Sequence, residues 1–167
     1  MDSLKTLLDW GTDNPLQVAL IRTHFTNHQF NEIAQVVFQL RGPKGIPYTV
    51  KFLEEEGNKC FKTNDFADAS THYLSGIKLL CFNCITSYAD EALFKYLAIS
   101  LNINLAASEL QQRKFLPTTT LCSLVLEFES HNIKSLLRRA KAELGLHNVR
   151  KDLCELREVL RTAYADQ

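Results

Sequence analysis

Apolar residues recur along much of the chain at the spacing of amphipathic helices, without the alternation that is typical of strands. The clearest segment, Phe52–Leu80, predicts two short helices joined by the polar turn Thr63-Asn64-Asp65. Small residues stand where the two helices must approach each other: Gly57 on the first helix, and Ala69 and Gly76 on the second. A helix pair of this size cannot bury its apolar face alone, so the segment predicts further stacked pairs and a concave groove.

Two weaker copies of this pattern follow. They are found by aligning Gly57 with Ala106 and Ala140, of which the last two are 34 residues apart, a period typical of helix-turn-helix repeats. Gly57 and Ala106 are 49 residues apart, so about fifteen additional residues separate the first two units. We expect these around Cys81–Leu93, as a longer second helix of the first unit and a longer first helix of the second, in preference to a disordered insertion.

The predicted repeat domain covers residues 48–167, with units at about 50–83, 99–132 and 133–165. The third unit is expected to consist of two helices, Ile133–Leu144 and Asn148–Ala165. Solenoid ends need a polar cap. Either the last helix serves as that cap or the chain is a piece of a longer protein, and we prefer the second interpretation.

Residues 1–47 form a separate helical segment in this prediction. A first helix carries Leu4–Trp10, a second begins at Pro15 with Asn14 as its cap, and a third carries Phe30–Leu40. The Gly- and Pro-rich stretch 41–47 is the one clear breaker in the chain. Three apolar helices of this length are too small to be very stable alone, so we expect them to pack on the first repeat. The whole chain is thus predicted to be all-α, an α-solenoid of three repeats with about nine helices in total.

Charge and composition remove several classes of function. The 167 residues contain 19 Lys plus Arg and 19 Asp plus Glu, so no global charge attracts the chain to nucleic acid or to an anionic membrane. No apolar run is long enough for a transmembrane helix. The N-terminus has an early acid and no apolar core, so it does not resemble a secretory signal, and we place the chain in the cytoplasm or the nucleus.

The five cysteines are predicted to be free thiols, mostly packed on helices, as expected in a reducing compartment. Cys81 and Cys84 form a lone CxxC pair without a second ligand pair, and the five histidines show no metal spacing, so no metal or other cofactor is expected. No nucleophile–base arrangement or Gly-rich phosphate loop occurs in the sequence. We therefore do not expect an enzyme.

Three runs of residues carry a more specific resemblance: EEGNKCF, LNINLAA and IKSLLRRAKAELGL. Together they resemble the tetratricopeptide-repeat domains of chaperone-binding proteins, which include large immunophilins and other co-chaperones of the 90 and 70 kDa heat-shock proteins. The enlarged first spacing is similar to the immunophilin type. The resemblance covers roughly Tyr48–Tyr164, and the later units match on their first helices only, since Thr118 and Asp152 stand where the pattern has Ala.

The resemblance implies a peptide-binding groove. In that family two Asn and three basic residues hold the C-terminal Asp of a Glu-Glu-Val-Asp tail. The matching positions here are Asn58, Asn104, Lys134 and Arg138, the last two one turn apart on one helix face. Amides can donate hydrogen bonds to a carboxylate without adding charge, and Lys and Arg add charge-assisted bonds.

One position departs from the family pattern. The family has a Lys four residues before the first Asn, and this chain has Glu54 there. Two carboxylates about 4 Å apart repel each other by about 1 kcal/mol in water, and by more in a drier site. Lys51, seven residues before Asn58, is the alternative basic residue near the same face. The sequence therefore predicts an incomplete clamp and leaves an altered ligand open.

Two functions follow from these features. In the first, the chain is an adaptor whose groove binds an acidic C-terminal peptide of heat-shock protein 90 or 70. In the second, the repeats are a scaffold without a clamp that holds another protein, another domain or a homo-oligomer partner. Asn58, Asn104, Lys134 and Arg138 favour the adaptor, whereas Glu54 and the weaker later units favour the scaffold.

Overall fold

The computed structural model describes residues 14–24, 45–83, 85 and 87–165, and within these it contains six α-helices and no strand. The predicted all-α fold is confirmed. The predicted helices around Leu4–Trp10 and Phe30–Leu40 lie outside the described residues. The six helices are α1 (Pro15–His24), α2 (Gly45–Lys62), α3 (Phe66–Leu80), α4 (Tyr88–Gln111), α5 (Phe115–Phe128) and α6 (Ile133–Ala165).

The helices stack in chain order, as in an α-solenoid of the tetratricopeptide type. Each of α2 to α5 packs against the helix that follows it. Helix α4 also packs directly against both α2 and α6, whereas α3 and α5 do not pack extensively on each other. Helices α2, α4 and α6 therefore form the more closely spaced, inner wall of the array. No helix of the described part is both long and apolar enough to cross a bilayer.

The turn between α2 and α3 has the backbone that its sequence predicts. Asn64 has a φ of 64°, a left-handed conformation that Asn adopts more readily than most residues. Asp65 caps α3 by accepting a hydrogen bond of 3.3 Å from the backbone N–H of Asp68. The corresponding turn between α4 and α5 places Arg113 at a φ of 59°, which no turn residue in the sequence had indicated.

The predicted close contact between α2 and α3 is confirmed at Gly57. A Cβ atom there would lie 2.6 Å from a ring carbon of Tyr73 on α3. At Gly76 a Cβ atom would lie 3.3 Å from both δ-methyl groups of Leu101 on α4. Ala69 on α3 and Ala106 on α4 are also fully buried.

Helix α1 begins as predicted and packs on the repeats. The Asn14 side chain accepts hydrogen bonds of 3.1 Å from the backbone N–H groups of Leu16 and Gln17. The buried Gln17 amide then donates to the carbonyl groups of Cys81 at 2.8 Å and Asn83 at 3.1 Å, which holds the chain after α3 against α1. Three apolar residues of α1 belong to the main core, Leu16, Leu20 and Ile21.

Three helix boundaries differ from the predictions. Helix α2 begins at Gly45, inside the predicted breaker 41–47, and Pro47 lies in its first turn, where a missing N–H leaves no helix bond unmade. Helix α4 is extended to 24 residues, as expected, but α3 ends at Leu80, so the predicted longer second helix is wrong. Cys81 is therefore the C-cap of α3, and Cys84 lies outside the described residues.

The third difference is that α6 is one continuous helix of 33 residues where two helices were expected. Gly145 lies in the middle of α6, and a Cβ atom there would be 2.6 Å from two ring carbons of Phe115 on α5. Because Gly145 has no side chain, the ring of Phe115 can pack directly on the backbone of α6. Residues 145–147 are thus helical and do not form a turn.

Candidate peptide-binding groove

Six polar side chains of the inner wall and one tyrosine beneath them form what we call the inner cluster. Two come from each inner helix: Glu54 and Asn58 from α2, Ser100 and Asn104 from α4, Lys134 and Arg138 from α6, with Tyr73 of α3. Glu54, Asn58, Asn104 and Arg138 are half-buried, so they border the solvent instead of the core.

Asn58 is oriented by Tyr73. The Tyr73 hydroxyl donates a hydrogen bond of 2.8 Å to Asn58 Oδ1. Within the described part of the chain, the Asn58 amide nitrogen makes no hydrogen bond, so both of its N–H donors are available to a ligand oxygen. The arrangement matches the donor role that the resemblance assigns to Asn58, and that role stays a prediction.

Asn104 is already engaged by an internal carboxylate. Its Nδ2 donates a hydrogen bond of 3.3 Å to Glu54 Oε1, and the Ser100 hydroxyl donates to the same oxygen. Ser100 lies one turn before Asn104 on the same face of α4. The Glu54 carboxylate thus bridges α2 to α4 and uses the amide that the resemblance assigns to the ligand.

Arg138 is held by the backbone of α4. Its Nη1 donates a hydrogen bond of 2.8 Å to the carbonyl oxygen of Ile103. Burial is the main cause that lowers the pKa of Arg138 below its usual value, although a guanidinium remains charged at any ordinary pH. The guanidinium has five N–H donors, so one bond to α4 fixes its position and leaves donors for a carboxylate.

Tyr73 forms the base of the cluster and lies close to both charges. The side chain is only 1% exposed, and burial is the largest cause that raises its pKa to about 12. The Glu54 carboxylate raises that pKa further, while the Arg138 guanidinium lowers it. One buried hydroxyl therefore lies within the electrostatic reach of a negative and a positive group.

The two predicted lysines are less closely placed. Lys134 is exposed on the first turn of α6 and borders a surface depression of about 620 Å³ together with Ile103 and the turn that precedes α6. Lys51 is also exposed, and it makes no hydrogen bond or ion pair within the described residues. The structure brings Asn58 and Arg138 close to Tyr73, places Asn104 beside Glu54, and leaves both lysines exposed.

Two members of the inner cluster were not recognised as site residues in the sequence. Tyr73 has the helical spacing of a core residue and its ring is buried, but its hydroxyl donates to Asn58 of the inner cluster. Ser100 had one usable signal, because it precedes Asn104 by four residues and so shares its helix face.

The described cysteines lie apart from any cluster that could bind a metal. Cys60 is half-buried, Cys81 and Cys122 are buried, Cys154 is exposed, and all four are free thiols. Burial raises the pKa of Cys81 and raises that of Cys122 to about 11, so these two thiols are poor nucleophiles. No group of three metal-ligating side chains occurs among the described residues.

Comparisons with known proteins give distant relatives. No family model matches the chain. Human sperm-associated antigen 1 is 29% identical over 112 residues, which are 67% of this chain and 10% of that protein. The human and bovine peptidyl-prolyl cis-trans isomerase FKBP4 are 25% identical over 109 residues and 28% identical over 111 residues.

The matched residues are 65% of this chain and 24% of either isomerase, so the chain spans a tenth to a quarter of the length of these relatives. With the stacked helices, these similarities support a repeat protein of the tetratricopeptide type, and no finer assignment.

Proposed function

We propose that this chain is a protein–protein interaction adaptor whose inner groove binds the C-terminal carboxylate of a partner protein. The observation that carries the proposal is the inner cluster itself. Among the described residues, nothing occupies the amide N–H donors of Asn58, and Arg138 uses one guanidinium donor for Ile103. Both side chains are fixed in place by bonds to their own protein. Pre-positioned donors lose little entropy when a ligand binds, which favours recognition of a small group such as a carboxylate.

The finer proposal concerns the partner. The resemblance implies the acidic tail of heat-shock protein 90 or 70, and the distant similarity to FKBP4 agrees with a co-chaperone of the immunophilin type. In this proposal the chain performs no catalysis of its own and recruits the chaperone through its tail.

Calorimetric titration with acetyl-Gly-Glu-Glu-Val-Asp tests the proposal when the free acid is compared with the C-terminal amide. We expect the free acid to bind and the amide to bind at least about tenfold more weakly, because the amide removes the charged acceptor. Binding should weaken with added salt, since partly exposed charge pairs are screened. Equal binding of the two peptides would contradict a carboxylate site.

Arg138→Ala is the matching change in the protein. It should weaken binding of the free acid by roughly 1.5–3 kcal/mol, the range for hydrogen bonds to charged groups. Arg150→Ala is the control, because Arg150 is an exposed cation of the same helix, about three turns further along. The proposal is contradicted if both variants bind like the wild type.

A scaffold is the second candidate, and one observation favours it. The buried face of α6 runs through Ser135 and Ala142 to the half-buried Leu146, and its helical spacing continues to Val149 and Leu153. These last two residues are 40% and 60% exposed. Light scattering of wild type and Leu153→Glu tests self-association. A wild-type dimer that becomes a monomer in the variant supports the scaffold. If both proteins are monomers, a second copy of the chain does not cover this face.

A further inference from the structure

The inner cluster carries charges of both signs. Glu54 contributes a negative charge where α2 meets α4, and Arg138 contributes a positive charge where α6 meets α4. Two further acids follow Glu54 on α2. Glu55 is exposed, and Glu56 forms an ion pair of 2.5 Å with Lys59. Among the acids of α2, Glu54 is therefore the one that faces the inner wall.

The Glu54 carboxylate is fixed and still able to accept. Ser100 and Asn104 both donate to Oε1, whereas Oε2 accepts no hydrogen bond from the residues that the structure describes. Two neutral donors orient a carboxylate without cancelling its charge. An ammonium or guanidinium group brought to Oε2 would gain a charge-assisted bond, while a second carboxylate there would be repelled.

The distance between the two charges is set by neighbouring residues of α4. Glu54 accepts a hydrogen bond from the side chain of Asn104, and Arg138 donates one to the carbonyl oxygen of the preceding residue, Ile103. Consecutive Cα atoms are about 3.8 Å apart, so with the two side-chain contacts added the charged groups lie on the order of 10 Å apart. An extended peptide covers this distance in roughly three residues. A ligand carboxylate at Arg138 thus places the residues two or three positions before it beside Glu54.

We propose that Glu54 is a specificity-determining residue of the groove and selects peptide C-termini that carry Lys or Arg two or three positions before the terminal carboxylate. The inference rests on the proposed carboxylate site, and it replaces the acidic tail of the finer proposal with a tail that carries a basic side chain before its terminus. The terminal carboxylate binds Asn58 and Arg138, and the basic side chain binds Glu54. Asn104 then acts as a positioning residue through Glu54 and does not itself bind the terminus.

The test compares two peptides of equal length with free carboxylates, acetyl-Gly-Glu-Glu-Val-Asp and acetyl-Gly-Lys-Lys-Val-Asp, by calorimetry. The wild type should bind the lysine peptide at least about tenfold more tightly. Glu54→Lys should reverse this preference, and Glu54→Gln should abolish it, because the amide keeps an acceptor for Ser100 and Asn104 without the charge. Glu55→Lys is the control: the same charge change at an exposed neighbour should leave the preference intact.

The outcomes separate this inference from the proposed function. If wild type and Glu54→Lys bind the two peptides with the same order of preference, Glu54 only links α2 to α4 and the inference is wrong, while carboxylate binding stands. If no variant binds either peptide, the carboxylate site itself is wrong. Circular dichroism verifies the fold of each variant, and Glu54→Gln keeps the test decisive if Glu54→Lys does not fold.

Discussion

At the scale of single residues, His24 is a largely buried polar group in the interface between α1 and the repeats. Its ring nitrogen Nε2 lies 3.0 Å from Asn102 Oδ1, and Asn102 in turn donates to the carbonyl of Ala98 at 2.7 Å. Burial is the largest effect on its pKa and lowers it below the usual value near 6.5. The bond to Asn102 partly opposes this shift, and the nearby charge of Lys78 adds to it.

This depressed pKa predicts that acid destabilises the protein. The unfolded chain binds a proton at His24 before the folded chain does, so the stability from neutral His24 is present above about pH 6.5 and is lost as pH falls through the lower folded pKa. Urea unfolding measures how much unfolding free energy each protein loses between pH 7.5 and pH 5.5, and this loss should be smaller for His24→Gln than for wild type. His147→Gln, at an exposed position of α6, should lose as much unfolding free energy as wild type. Equal losses in all three proteins would contradict the buried neutral histidine.

At the scale of helices, the contact of α2 with α3 depends on the absence of a side chain at Gly57. Gly57→Ala would place a methyl group 2.6 Å from the ring of Tyr73, which is buried and bonded to Asn58. The better helix propensity of Ala, about 1 kcal/mol, is outweighed by overpacking and the displaced hydrogen bond. We expect a net loss of about 1–2 kcal/mol in the free energy of unfolding, measured with urea.

Gly76→Ala serves as the comparison for this prediction. Its methyl group would meet the ends of the Leu101 side chain at 3.3 Å, and these can move by a few tenths of an ångström. A smaller loss is expected there. The packing explanation fails if Gly57→Ala is as stable as the wild type. It also fails if Gly76→Ala loses more unfolding free energy than Gly57→Ala.

Local signals explain which elements the sequence predicts correctly. The Asn14 cap, the turn around Asn64 and the close-contact glycines each depend on a residue type that few others can replace. In α6, Gly145 lies under the ring of Phe115 from another helix, and no pattern within α6 contains that information. Thr118 shows the same limit: its buried hydroxyl donates to the carbonyl of Lys114 at 2.8 Å, so Thr serves where the repeat pattern has Ala.

The candidate site was likewise only partly predictable from the sequence. The repeat register places Asn58, Asn104 and Arg138 on the inner helices. In the structure Asn58 and Arg138 lie close to Tyr73, and Asn104 lies beside Glu54. The register contains no information on side-chain partners across helices. The engagement of Asn104 by Glu54 was therefore not predicted, although Glu54 itself was identified as the departure from the family pattern.

At the scale of the whole molecule, a neutral chain builds a locally charged groove. Equal numbers of acidic and basic residues leave no net charge, yet the inner wall brings Glu54 and Arg138 to neighbouring residues of α4. Such a groove attracts no polyanion over a distance, and it can discriminate among short peptides by the order of their charges. The exposed continuation of the α6 face at Val149 and Leu153 adds a second surface at the far end of the array.

Nuclear magnetic resonance mapping of a bound peptide tests whether the inner groove binds a peptide carboxylate. A ¹⁵N-labelled protein is titrated with the tighter-binding of the two free-acid peptides. We expect the Asn58 side-chain amide and Arg138 Nε signals to shift, together with backbone signals of α2, α4 and α6 around the inner cluster. The amidated peptide should shift them much less at the same concentration. Shifts confined to α3 and α5, or to α6 beyond Leu146, would contradict this expectation.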